Sequence, residues 1–184
     1  MRLYRAFLAE GGRLVIELEH KINDYVMCKD DVCKIIDIKK MEFTGIDERM
    51  YYVVEPVGEQ CARIYVPVDM KDEDAAIRKI LSVNEVNSII ERSENLELTW
   101  VEDGKERVNH FDKILQNGDM AEILWMFNIL KERRQELENE GKKLYVGDTR
   151  IYDTAEKMIT EEFAFVLGIQ KNEVELYILE RLAS

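Results

Sequence analysis

The residues best suited to covalent or metal chemistry are few: three cysteines and two histidines. Cys28 and Cys33 flank four residues, Cys61 lies further on and His20 precedes them. Zinc ligand pairs usually sit closer together and come with a second close pair, which this chain lacks. The set reads as buried, reduced thiols in a cytoplasmic protein. A thiol nucleophile needs a base within hydrogen-bond reach, and His110 falls in the middle of a helix far along the chain. There is no glycine-rich phosphate loop, no Gly-x-Ser-x-Gly elbow and no His-Glu-x-x-His. The acid pairs Glu161-Glu162 and Asp30-Asp31 read as solvated surface. The residues point to a binding protein and not an enzyme, with no cofactor, metal or small-molecule substrate expected. A thiol or metal enzyme using Cys28, Cys33 and Cys61 is a remaining alternative.

Binding chemistry gathers in residues 49–69. Two β-rich runs flank a short turn at Val57-Gly58-Glu59-Gln60, a hairpin signal. In the second run Ala62, Ile64, Val66 and Val68 share one face, and Arg63 and Tyr65 share the other. Pro67 has no N–H to give a neighbouring strand, so this run is an edge strand or ends there. An edge with a polar outer face can accept a strand from a partner.

The elements that must hold these residues divide into two kinds. Residues 21–69 read as β: a strand at 25–28, a turn at Lys29-Asp30-Asp31, a strand at 32–41 with Ile36 and Ile38 on one face, a turn at Thr44-Gly45-Ile46-Asp47, then the hairpin. Close-set short strands with polar turns imply a small barrel or strongly bent sheet. Residues 71–74 are charged and form a link. Beyond them the apolar period changes from 2 to about 3.6. Ser82-x-x-Glu85 is a capping box that opens a helix over residues 83–92. Residues 105–116 form a second helix that ends at Asn117-Gly118. Asp119 caps a third, with Met120, Ile123, Leu124, Phe127, Leu130 and Leu137 on one stripe. A fourth runs over residues 148–167, and Asn172-x-x-Glu175 opens a fifth. The expected architecture is α+β in two domains, residues 21–70 and 71–184. Residues 1–20 form an uncertain extension with brief helical character that stops at Gly11-Gly12. Ala9-Glu-Gly-Gly12 also reads as a translated ribosome-binding site ahead of a later start.

With 184 residues the chain suits one ordinary domain or two small ones. No apolar run approaches the roughly 20 residues that span a bilayer, and no secretory leader is expected. The net charge of −12 argues against a free-standing nucleic-acid binder.

The β unit ending Tyr-Tyr-Val-Val…Ile-Tyr-Val-Pro-Val-Asp, followed by this helical set, resembles the CarD/CdnL family of bacterial transcription regulators. Ile114-Leu-Gln-Asn-Gly-Asp-Met120 is similar to the family's Leu-x-x-Gly-Asp junction. Leu144-Tyr-Val-Gly-Asp-Thr-Arg150 is similar to its Leu-Ser-x-Gly-Glu-Lys-Arg segment. The resemblance covers residues 21–182. It implies a Tudor-like (SH3-like) domain that docks on the β subunit of RNA polymerase. It also implies a helical bundle that touches promoter DNA at the upstream edge of the melted bubble and stabilises the open complex. The family's polymerase-facing arginines fall at Met41 and Tyr65, with Lys39 and Arg63 beside them. Its DNA-wedging tryptophan falls near Gly104, and Trp100 matches when a gap is allowed.

Trp100 is either that wedge or a core anchor, because Leu96, Leu98 and Trp100 alternate as a packed extended segment does. Trp125 reads as packing. Lys105 and Arg107 flank the Trp100 segment, and Arg150 matches a basic family position, so these three are the expected phosphate contacts. Lys131, Arg133 and Arg134 are offset by Glu132 and Glu136. DNA contact is expected to be weak and polymerase-dependent, with no membrane partner. The alternative function is a protein–protein adaptor that docks through its edge strand without touching DNA.

Overall fold

The structure is a computed structural model that describes residues 4–8, 14–43, 46–58, 62–69 and 77–183. It divides into two compact units, Met1–Ile80 and Leu81–Ser184. The Gly11-Gly12 stop, the Thr44-Gly45 turn, Gln60, Cys61 and the link at residues 71–74 lie outside the described residues.

The first unit is β. A two-stranded antiparallel sheet pairs β1 (Tyr4–Leu8) with β2 (Leu14–Leu18). The helical character read at the start of the chain is therefore overturned: alternating types such as Leu14-Val-Ile-Glu-Leu18 satisfy their backbone in a ladder. A five-stranded antiparallel sheet follows, made of β3 (Tyr25–Cys28), β4 (Asp31–Phe43), β5 (Ile46–Pro56), β6 (Ile64–Pro67) and β7 (Ile77–Lys79). Its order is β6-β5-β4-β3-β7. The β3–β4 turn puts Lys29 at φ 55°, a left-handed position that closes the tight connection. The expected boundary at residues 70/71 moves to residues 80/81, because Ile77–Lys79 pairs with β3. Three residues are too few to show a period of two.

Val26, Cys28, Cys33, Ile35, Tyr52, Val54, Val66, Val68 and Ile77 make the core of this unit. Ile36 and Ile38 do not share the core face as expected. A bulge between Ile35 and Asp37 shifts the register, so Ile35 and Ile38 turn to the core.

The second unit is five helices: α1 (Val83–Glu94), α2 (Gly104–Asn117), α3 (Met120–Asn139), α4 (Val146–Leu167) and α5 (Val174–Leu182). The ends of α1, α2 and α3 follow local signals, whereas the start expected at Asn172-x-x-Glu175 is replaced by a capping box of Gln170 with Glu173 ahead of α5. Ser82 and Glu85 form the reciprocal capping box. Asp103 accepts from the N–H groups of Lys105 and Glu106, both at 2.9 Å. Gly118 ends α2 in the left-handed region at φ 70°, where a side chain would be strained. Phe111, Ile123, Leu124, Ile151, Ile159 and Phe163 centre the core.

His20 lies at the entry to β3, 5% exposed, with its ring edge-on to Tyr52 at 5.8 Å. Its Nε2 has no hydrogen-bond partner among the described residues. Burial lowers its pKa against the opposing pull of Glu19 and Asp24. The folded unit therefore holds it neutral, while the unfolded chain takes up a proton below about pH 6.5. Its contribution to stability is complete above about pH 6.5 and is lost as the pH falls below it. Thermal melts across this range should show a midpoint that drops with acid, and His20→Phe should flatten that dependence. An equal acid sensitivity in the variant would assign the effect to other groups.

Candidate functional site

On the sheet, strand register gathers the residues expected to dock. Tyr65 pairs with Val53 and Val53 with Asp37; Pro67 pairs with Tyr51 and Tyr51 with Lys39; Met41 pairs with Arg49. Lys39, Met41 and Tyr65 thus share the face opposite Tyr52, Val54 and Val66. The Lys39 ammonium lies 5.8 Å from the Tyr65 ring centroid and 3.8 Å from the Asp37 carboxylate. Tyr65 is 37% exposed. Arg63, two residues ahead of Tyr65, is exposed. Between them on the same face Tyr51 and Val53 are buried, at 4% and 1% exposure. Among the described residues β6 is a sheet edge, paired on one side only, with β5. A mixed-polarity face beside such an edge can take a partner's extended strand and read its side chains.

Cys28 and Cys33 are buried and unbridged on adjacent strands of the core. Cys33 is pushed up by its hydrogen bond with Cys28 and by burial, which keeps it a thiol. No group of three metal-ligating side chains occurs among the described residues. His20 lies in the first unit and His110 in the second.

The segment from residue 96 to Asp103 links α1 to α2 without regular secondary structure. Trp100 is half-buried, packs on the core and meets Phe111 edge-on at 6.3 Å. The Arg107 guanidinium lies 4.2 Å from the Trp100 ring centroid. Trp125 packs on the core as expected.

Arg107 is not at the surface, and its expected role as a phosphate contact is corrected. It is 7% exposed and ion-paired with Asp148, which is 1% exposed. Its Nη2 donates to Asp148 Oδ2 at 2.5 Å and its Nε reaches both carboxylate oxygens at 3.1 and 3.2 Å. Its Nη1 donates to the carbonyls of Val101 at 2.7 Å and Glu102 at 3.0 Å. A guanidinium buried in this way has no open path to a phosphate. Lys105 is exposed on the first turn of α2. Arg150 is exposed but grips both oxygens of Asp112 at 2.8 Å. Arg133 and Arg134 pair with Glu136 at 2.8 Å and Glu138 at 3.0 Å, and Lys131 pairs with Glu175. The unit carries 13 basic and 22 acidic residues.

Two further structural residues stand in the Leu144–Arg150 motif, where nothing in the sequence analysis marks them. Asp148 is the buried partner of Arg107. Gly147 lets α4 approach α2, because a Cβ there would lie 2.6 Å from Val108 Cγ2 and 2.9 Å from Tyr145 Cε1. The signal was the adjacency of a small residue and an acid at a helix start.

Denaturant unfolding of the helical unit checks both. Asp148→Ala leaves a buried guanidinium uncompensated and should cost about 3–5 kcal/mol. Gly147→Ala should cost about 1–3 kcal/mol through overpacking, and Val108→Ala in the same chain should recover part of it. A neutral Gly147→Ala would mean the α2–α4 approach has slack.

The family model described as CarD-like/TRCF RID domain matches residues 20–81. No curated protein matches the chain. The matched residues span β3 to β7, the whole five-stranded sheet with the Lys39, Met41, Arg63 and Tyr65 face. Residues 20–81 are thus similar to a CarD-like/TRCF RID domain.

Proposed function

We propose that this protein is a bacterial, cytoplasmic transcription regulator that docks on the β subunit of RNA polymerase and stabilises the promoter open complex. A RID domain is a protein-interaction domain, and its presence implies binding to RNA polymerase. The observation that carries the reading is the Lys39–Tyr65 face, beside a strand that pairs among the described residues with β5, inside the matched residues. A strand of polymerase β adds to β6 through main-chain hydrogen bonds. Arg63, Tyr65, Lys39 and Met41 supply the side-chain selection. The sheet acts as the Tudor-like tether, and the helices, as a bundle, bring the Trp100 segment to DNA.

Contact with DNA runs through Trp100, Lys105 and Arg150, with Arg107 withdrawn from that list. The excess of acids in the helical unit makes such contact weak in free duplex and dependent on polymerase. That same excess, with Trp100 packed on the core, favours a second reading: an adaptor that docks on polymerase without reaching DNA.

Footprinting a promoter with polymerase, with and without the protein, separates the two. Protection at the upstream edge of the bubble supports the first reading, and an unchanged footprint with retained polymerase binding supports the second. Trp100→Ala should shorten open-complex lifetime several-fold. For docking, Arg63→Glu should weaken capture of polymerase. Full capture by the double variant Arg63→Glu, Tyr65→Ala would remove this face from the proposal.

A further inference from the structure

We propose that Arg107 is a positioning residue: it holds the Trp100 segment in place on the helical unit, and the action of that segment on the open complex depends on this hold. The inference rests on the reading of Trp100 as the DNA-facing side chain. Nothing in it requires Arg107 to meet DNA.

The geometry is specific to one side chain. The guanidinium is fixed by Asp148, from the first turn of α4. Its remaining donors take the carbonyls of Val101 and Glu102. Its flat face covers one side of the Trp100 indole, while Phe111 closes the edge. Three pieces of chain therefore meet at one planar group: α2, the segment just before it and the start of α4, some forty residues on. Two surface clefts border Trp100, of about 280 and 360 Å³, and Arg107 and Asp148 line the larger one with it. The indole is thus braced by Arg107 and borders solvent.

Lysine cannot replace this arrangement. It keeps the charge but is a point donor on a flexible stem, without the fork that serves a carboxylate and two carbonyls at once. This separates the two possible roles of Arg107. A phosphate contact survives Arg107→Lys, because the charge survives. A brace does not.

The test uses the full-length protein with RNA polymerase on a linear promoter, and reads open-complex lifetime after competitor challenge at saturating protein. Trp100→Ala sets the scale. Arg107→Lys is expected to lose most of the lifetime that Trp100 supplies, with affinity for polymerase unchanged because docking lies on the other unit. In a Trp125→Phe background the same change should raise acrylamide quenching of Trp100. If Trp100→Ala shortens the lifetime and Arg107→Lys does not, the inference is overturned while the proposed function stands. If Trp100→Ala has no effect, the DNA-facing reading fails and the inference fails with it. Should Arg107→Lys unfold the helical unit, Asp148→Asn loosens the same brace with its shape kept. A lifetime equal to that of the unsubstituted protein would then overturn the proposal, and a shortened one would support it.

Discussion

A charge removed from water must find its partner in one place, and in the helical unit that place fixes the fold. The Arg107–Asp148 pair, at 8% and 1% side-chain exposure, joins residues 41 positions apart. Its attraction offsets desolvation because most of its donors are matched, by two carboxylate oxygens and two carbonyls, with an aromatic ring beside the group. Any other packing of α2 against α4 would leave one of these unmet inside the protein. The close α2–α4 approach at Gly147 and the run before α2 follow from that demand. Glu162, fully buried on α4, acts similarly at the other end by accepting from the Leu81 N–H at 3.1 Å.

The sheet unit follows a different constraint. Its core is apolar, and its polar obligations are those of the backbone. Among the described residues ladder pairing engages β3, β4 and β5 on both sides, while β6 and β7 are each paired on one. An edge of this kind is a liability unless a partner uses it or charge guards it. Lys39 and Arg63 beside β6 do the guarding, and the same residues give a docking strand something to recognise.

How much was legible in the sequence depends on how local the cause is. The helices announced themselves, because Ser82 with Glu85, Asp103, Asp119 and Gly118 act within one turn of where they stand. The β5–β6 hairpin was equally plain, with Pro67 marking the edge. The strand at Ile77–Lys79 was not, since three residues carry no period and its cause is β3, some fifty positions back. The bulge after Ile35 left no compositional trace and moved the core from Ile36 to Ile35. Arg107 was misplaced for a related reason. A basic residue on a helix beside a loop reads as surface, and only the fold reveals an acid 41 positions away beneath it.

The charge balance constrains how the two units can cooperate on the proposed reading. With 22 acids against 13 bases, the helical unit is repelled by a phosphate backbone beyond contact range. At physiological salt that repulsion fades within about 8 Å, so it opposes approach more than it opposes a contact already made. Tethering through the sheet changes the problem. A docked partner turns the second contact into an intramolecular one, with an effective concentration that reaches the millimolar range for short linkers. The helical unit then needs no affinity of its own for DNA, only a side chain held where the bubble edge will be. A braced Trp100 meets that need, whereas a mobile one would give back in ordering entropy much of what the tether supplies.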